Sequence, residues 1–159
     1  MYEKSSFSTD RVRGDKLNRN RNWTVLFIGG ASGMGKSSVA YELARVYNVN
    51  VIEVDDIFQA VKAMTTTESL PAIHYWSTGI NWMDMGVEGN IKWLMDVSKE
   101  MIPALKSIVN NHIEDDVPVI IEGDFIDPEF TASFENPKVK AVYIYEPDKK
   151  QIVQNYFAR

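Results

Sequence analysis

A glycine-rich loop between a hydrophobic strand and an amphipathic helix constrains the fold of this chain more than any other feature. Residues 30–37 read Gly-Ala-Ser-Gly-Met-Gly-Lys-Ser, which matches the phosphate-loop pattern G-x-x-x-x-G-K-[ST] at every fixed position. The apolar run 23–28 before the loop predicts a buried parallel strand, and the apolar spacing in 37–47 predicts a helix. The glycines let several backbone N–H groups point into one concavity, to which the helix N-terminus adds positive charge. We therefore predict that the loop binds a nucleoside triphosphate.

Two residues of the loop carry the chemistry. Lys36 is predicted to reach the β- and γ-phosphates, and the Ser37 hydroxyl is predicted to ligate Mg²⁺. The predicted nucleotide-binding residues are Gly30, Ala31, Ser32, Gly33, Met34, Gly35, Lys36, Ser37 and Ser38.

Strands alternate with helices along the rest of the chain. Further strands are predicted within 49–54, 117–125 and 139–146, and helices over about 57–64, 87–113 (kinked near Pro103) and 148–159. Alternation of this kind implies an α/β protein with a parallel sheet covered by helices on both faces. We predict a P-loop NTPase fold with strand order 2-3-1-4.

Four carboxylates are expected beyond the carboxyl ends of these strands, where ligands of such sheets bind. Asp55, at the end of the second predicted strand, is the first candidate to orient an acceptor hydroxyl; Asp56 is the second, or else caps the next helix. Glu122 and Asp124 lie two residues apart and are candidate Mg²⁺ ligands, the alternative being a solvated acidic strand end. The predicted catalytic residues are Lys36, Asp55 and Asp124.

Residues 65–86 are predicted to be irregular and rich in aromatic side chains. His74 and Trp76, together with Asp55 and Asp56, are predicted to line an acceptor pocket, with Tyr75 and Trp82 nearby. A small satellite core that holds a long loop together is an equal alternative. His112 lies on the apolar stripe of the long helix and is predicted to be structural.

Charge and composition limit the classes of partner that this chain is expected to bind. Residues 1–22 carry a charge of +3 out of a total of −5, so residues 23–159 carry −8. An acidic body makes a nucleic-acid partner unlikely, and the basic residues 1–22 are predicted to form a flexible leader to a kinase core over 23–159. No apolar run long enough for a membrane span occurs, and cysteine is absent, which fits a cytoplasmic protein.

The motifs favour a small-molecule kinase over other nucleotide-binding classes. Neither N-K-x-D nor D-x-x-G occurs, which argues against a Ras-type GTPase, and the length of 159 residues argues against a large AAA-type ATPase. "IGGASGMGKSSVAYELA", "VIEVDDI", "AMTTTESLPAIHYW", "VIIEGDF" and "VYIYEPDKKQIVQNYFAR" together resemble the 2-phosphoglycerate-kinase-like family of P-loop kinases.

The resemblance implies a phosphotransferase that uses ATP and Mg²⁺ and a small hydroxyl acceptor. It implies that the phosphate-loop residues hold the triphosphate, that Asp55 faces the acceptor, and that Glu122 or Asp124 takes the second acidic position. In members that act on phosphorylated acceptors it also implies arginines soon after that aspartate, whereas residues 57–62 hold Lys62 and no arginine.

The family pattern would continue beyond Arg159 into an arginine-bearing lid. We therefore expect either a fragment or a homo-oligomer in which a neighbouring subunit supplies residues. The rival hypothesis is an ATP-binding regulatory or scaffold module without phosphotransfer; a polynucleotide 5′-kinase is a third, supported only by the basic leader.

Overall fold

A computed structural model describes residues 21–79 and 81–157. The strands are β1 (Val25–Gly29), β2 (Asn50–Glu53), β3 (Val119–Gly123) and β4 (Val139–Tyr143). The helices are α1 (Lys36–Tyr47), α2 (Val54–Met64), α3 (Gly86–Glu114), α4 (Pro128–Ala132) and α5 (Lys149–Phe157). Two short 3₁₀-helices, Tyr75–Thr78 and Trp82–Met85, lie between α2 and α3.

The four strands form one parallel sheet in the order β2-β3-β1-β4, which confirms the predicted fold and strand order. β1 lies at the centre, and its last residue, Gly29, is in register with Gly123 of β3. The phosphate loop therefore leaves the sheet beside the segment that follows β3. This places the predicted loop and the predicted acidic residues at one edge.

Side chains of the central strands alternate between two apolar cores, one on each face of the sheet. Val25 and Phe27 of β1 face the larger core, which α2, α3 and α4 cover. Leu26 and Ile28 face a smaller core formed with α1. Helices thus cover both faces, as predicted.

Three details of the helices differ from the sequence-based prediction or go beyond it. α2 begins at Val54, three residues earlier than expected, because β2 is short and the chain turns directly into the helix. α4 was not predicted; it has only five residues, and the Asp127 side chain accepts hydrogen bonds from the N–H groups of Glu129 and Phe130. α3 runs through Pro103 as one 29-residue helix.

Some predictions fall beyond the described residues. Nearly all of the proposed leader, residues 1–20, lies outside them. Within the part that the structure describes, no helix is both long and apolar enough to cross a membrane.

Candidate phosphate-binding and phosphoryl-transfer site

The phosphate loop joins β1 to α1 through a turn that contains three glycines with positive φ, among them Gly33 and Gly35. Gly33 and Gly35 have φ angles of 81° and 85°, a left-handed conformation that other residues rarely adopt. Gly35 occupies the N-cap position of α1 without a side-chain cap, so the first N–H groups of the helix remain available to an anion. This local geometry is the one predicted for a phosphate cradle.

Lys36 is held at the bottom of the cradle. Its side chain is only 3% exposed, and its ammonium group forms an ion pair with Asp124 and donates a hydrogen bond to the Ala31 carbonyl oxygen at 3.1 Å. Asp124 follows directly after β3, so the ion pair links the loop to the neighbouring strand end. The positive charge predicted to meet phosphate is therefore balanced by a carboxylate in this structure.

Ser37 and Glu122 form a second link between α1 and β3. The Ser37 hydroxyl donates to Glu122 Oε1 at 2.8 Å. Glu122 is 4% exposed, and this burial raises the pKa of its carboxyl group, although the Ser37 hydrogen bond and the nearby Lys36 charge act in the opposite direction. Two of the three predicted Mg²⁺ ligands thus lie in direct contact.

One polar cleft of about 220 Å³ brings most of the predicted chemistry together. Its lining consists of Lys36, Ser37, Glu53, Asp55, Glu122, Gly123 and Asp124. Asp55 reaches the cleft from the first turn of α2, rather than from the end of a strand as predicted. The cleft holds four carboxylates and one lysine.

Glu53 is a lining residue that the sequence analysis missed. It is the last residue of β2, and it accepts a hydrogen bond from the Tyr41 hydroxyl of α1. This hydrogen bond is the main cause of the raised pKa of Tyr41. Its position one residue before α2 was a usable signal, because strand ends are where ligands of such sheets bind.

Gly123 allows β3 and α2 to approach each other beside the cleft. A Cβ atom at this position would lie 2.6 Å from Val54 Cβ, which is closer than real Cβ atoms come to other carbon atoms. Val54 itself is fully buried at the start of α2. The absence of a side chain at Gly123 therefore lets the start of α2, which carries Asp55, pack closely against the end of β3.

The residues present fit a magnesium ion bound together with phosphate. Ser37, Glu122 and Asp124 offer oxygen atoms, the ligands that Mg²⁺ prefers. Among residues 21–79 and 81–157, no group of three or more His, Asp or Glu side chains is arranged to hold a metal ion by itself.

No family model matches the chain, but curated proteins do. The chain is 26% identical over 151 residues to a 2-phosphoglycerate kinase of Methanopyrus kandleri, an alignment that covers 91% of this chain and 46% of that protein. It is 31% identical over 111 residues to the 2-phosphoglycerate kinase of Pyrococcus furiosus, covering 67% and 36% respectively. The chain is a relative of the 2-phosphoglycerate kinases. The predicted resemblance is confirmed, and the chain spans less than half the length of these relatives.

Two solved structures show a weaker likeness. A sugar kinase from Janibacter sp. HTCC2649 has a TM-score of 0.47 and 18% identity, covering 86% of this chain and 68% of that one. A gluconokinase from Sinorhizobium meliloti 1021 has a TM-score of 0.46 and 18% identity, covering 89% and 67%.

Three residues predicted to contact the acceptor lie outside the lining of the cleft in this relative of the 2-phosphoglycerate kinases. Asp56 is exposed on α2, and the expectation that it caps this helix is wrong, because α2 begins at Val54 with Glu53 at the N-cap position. His74 Nε2 lies 3.0 Å from the hydroxyl of Thr65, just past the end of α2. Trp76 packs edge-on against Trp93 with ring centroids 4.8 Å apart. These contacts show a packing role, and contact with an acceptor stays a prediction.

In the C-terminal part of the described chain, α5 and the segment before it contact the phosphate loop. Asn155 of α5 donates a hydrogen bond from Nδ2 to the Gly33 carbonyl oxygen at 2.9 Å, and Gln151 donates to Asn155 Oδ1 at 2.7 Å. The backbone N–H of Glu146 lies 3.2 Å from Met34 Sδ. No pattern in the sequence signals the two contacts with the loop, because each joins residues more than a hundred positions apart.

His112 has the structural role predicted for it. Its Nδ1 lies 2.8 Å from the Val117 carbonyl oxygen, which ties the end of α3 to the turn that leads into β3.

Proposed function

We propose that this chain carries the nucleotide-binding and phosphoryl-transfer machinery of an ATP-dependent small-molecule kinase. The observation that supports the proposal most directly is the single cleft in which Lys36 and Ser37 of the phosphate loop meet Asp55, Glu122 and Asp124. A module that only binds nucleotide has no need of an acid on the far side of that cleft.

In the proposed complex, the backbone N–H groups of the loop and the N-terminus of α1 hold the triphosphate of ATP. The Lys36 ammonium group pairs with the β- and γ-phosphates, which requires it to share or leave Asp124. Ser37 and Glu122 would hold Mg²⁺, with Asp124 beside them. Mg²⁺ supplies neutralisation of phosphate charge.

Asp55 is the group proposed to act on the acceptor. Its carboxylate orients the acceptor hydroxyl and accepts its proton as the new O–P bond forms to the γ-phosphorus. The bond between the γ-phosphorus and its bridging oxygen breaks, and ADP leaves with that electron pair. Lys36 stabilises the negative charge that spreads over the phosphoryl oxygens.

The acceptor is proposed to be a small hydroxyl compound. The names of the relatives put 2-phosphoglycerate first among the compounds to test. The cleft itself offers four carboxylates against one lysine, and Lys62 is the single basic residue of α2. Because anionic acceptors need such donors, neutral sugars and singly charged hydroxy acids belong in the same panel.

A second candidate function is an ATP-binding regulatory module without phosphotransfer. The volume of the cleft favours it: about 220 Å³ lies below the usual range of small-molecule sites and suits the phosphate end of a nucleotide alone.

The test compares Asp55→Asn with Asp56→Asn, two changes on adjacent residues of the same helix. Transfer from labelled ATP to the acceptor panel is measured beside the Kd of a non-hydrolysable ATP analogue. Removal of a general base costs about 10²–10⁴-fold in rate, so Asp55→Asn should lose that much activity while its Kd for the analogue stays within about threefold. Asp56→Asn should lose less than about tenfold, since Asp56 does not line the cleft. Wild-type rates in Asp55→Asn would contradict the role of Asp55, and nucleotide binding without transfer to any acceptor would favour the regulatory module.

A further inference from the structure

A second and larger cavity lies between the turn 71–75 and the N-terminal half of α3. Its volume is about 720 Å³, within the range of small-molecule binding sites. The lining is mainly apolar and includes Pro71, Tyr75, Met85 and Trp93. Lys92, Asp96, Lys99 and Glu100 of α3 add charged groups.

The wall of this cavity is held in place by hydrogen bonds. Glu100 accepts one bond from the Ala72 N–H at 3.1 Å and another from the Ile73 N–H at 2.9 Å, one on each carboxylate oxygen. Trp93 donates from Nε1 to the Ala72 carbonyl oxygen at 3.0 Å, and Ile73 is fully buried in the core. The turn is therefore fixed to α3 at Ala72 and Ile73. A site fixed before binding avoids the entropic cost of ordering its walls.

The cavity is separate from the phosphate cleft. The two share no lining residue. The Trp93 ring, which lines the cavity, meets the buried Phe125 ring edge-on at 5.9 Å, and Phe125 follows directly on Asp124 of the cleft. The Trp93–Phe125 contact thus links the wall of the cavity to the segment that carries Asp124.

The charged residues around the cavity balance in number, two lysines against two carboxylates, but they differ in the contacts that they make. Lys92 is paired with Asp96 one turn further along the helix. Both carboxylate oxygens of Glu100 accept hydrogen bonds from backbone N–H groups. Lys99, by contrast, has no hydrogen bond or ion pair with any backbone group or side chain that the structure describes. An anionic group at the mouth of the cavity would meet Lys99 without displacing another contact.

We propose that this cavity is a binding site for a small molecule that combines a flat apolar ring system with one anionic group. The ring system packs against Trp93 and Tyr75, which offer aromatic surface at low entropic cost. The anionic group pairs with Lys99. The site is separate from the phosphate cleft.

The probe is 8-anilino-1-naphthalenesulfonate, which has a flat apolar body and one sulfonate. Its fluorescence is titrated with wild-type protein, Lys99→Glu and Lys106→Glu, the last being the same change at an exposed lysine of α3 outside the cavity. The uncharged N-phenyl-1-naphthylamine is titrated in parallel, and Lys36→Ala tests whether either dye enters the phosphate cleft. Melting curves establish that each variant is folded, with Lys99→Ala as a milder replacement.

The proposal expects saturable binding of one sulfonate dye per chain to the wild type. Lys99→Glu should raise its Kd by about fivefold or more, since the change replaces an attraction by a repulsion of similar size. Lys106→Glu and Lys36→Ala should leave that Kd unchanged, and the uncharged dye should bind wild type and Lys99→Glu alike. Absence of saturable binding, equal Kd values for Lys99→Glu and Lys106→Glu, or loss of binding in Lys36→Ala would each overturn it.

Discussion

The Ser37 hydroxyl donates a hydrogen bond to Glu122 Oε1 at 2.8 Å, which joins the first turn of α1 to the end of β3. In the same place, Lys36 of the loop pairs with Asp124 beyond that strand. Two consecutive residues of the phosphate loop are thus tied to two carboxylates of one neighbouring segment. The arrangement holds the cleft in shape before any ligand arrives, and nucleotide binding has to compete with it.

Glu122→Gln should change the pH dependence of stability. Burial raises the pKa of Glu122, so the folded chain binds this proton more tightly than the unfolded chain does. This tighter proton binding therefore adds to the free energy of unfolding at a pH below the pKa of Glu122 in the unfolded chain. The contribution is lost as the pH rises through the higher pKa of the folded chain. Gln does not titrate and has no such loss. The free energy of unfolding of Glu122→Gln, relative to that of the wild type, should therefore increase with pH and then level off.

Urea unfolding at a series of pH values, without nucleotide or Mg²⁺, measures this difference. Glu129→Gln, at an exposed position of α4, is the control, and should change the free energy of unfolding by less than about 0.5 kcal/mol. If the difference in free energy of unfolding between wild type and Glu122→Gln stayed constant with pH, burial would not be raising the pKa of Glu122.

Asp124→Asn should destabilise the nucleotide-free protein more than the nucleotide-bound one. Lys36 is almost fully buried while the Asp124 side chain is 26% exposed, so loss of the charge partner should cost about 1–3 kcal/mol. Phosphate would supply Lys36 with a new partner, and Mg²⁺ with the ATP analogue should therefore raise the Tm of Asp124→Asn more than that of wild type. Asp96→Asn breaks an exposed ion pair on α3 and should cost less than about 1 kcal/mol. Equal losses in the two variants would refute a special role for the buried pair.

Gly123→Ala should destabilise the fold by crowding. The added Cβ would meet Val54 Cβ at 2.6 Å, and a rigid core accommodates such overpacking at a cost of about 1–3 kcal/mol. Gly79→Ala is the matched control, because Gly79 also has a positive φ, 80°, but has nothing within 4 Å of the added atom. Chemical denaturation of both variants measures the contrast. If Gly79→Ala proved as costly as Gly123→Ala, backbone conformation rather than contact with α2 would be the cause.

The fold could be predicted from sequence because its signals are local. The phosphate loop lies between a strand and a helix whose periodicities change at Gly29–Gly35, and the apolar run before Glu122 marks a second buried strand. The run at Val139 marks β4, but the expectation that this strand is buried is wrong, since its residues after Val139 are exposed. Parallel pairing then follows from the alternation of strands and helices. The sequence misplaces the turn at Glu53–Val54, because it assigns Asp55 to the end of the strand and Asp56 to the cap of a helix that begins near residue 57.

The contacts within the site could be predicted only in part. The strand order predicts one shared cleft, since parallel strands end at one edge of the sheet. The residues that it brings together are Lys36, Asp55, Glu122 and Asp124. The individual pairs depend on side-chain packing between distant segments. Lys36 pairs with Asp124, and Ser37 donates a hydrogen bond to Glu122. The same holds for Asn155, whose support of Gly33 comes from tertiary contact alone.

Calorimetric titration with a non-hydrolysable ATP analogue and Mg²⁺ tests the central claim most directly. Wild-type protein is compared with Lys36→Ala and with Lys140→Ala, an exposed lysine of β4 outside the cleft. The account predicts micromolar binding of one nucleotide per chain by wild type and Lys140→Ala, and loss of that binding in Lys36→Ala. Equal affinity in Lys36→Ala and wild type, or no binding by the wild type, would contradict it.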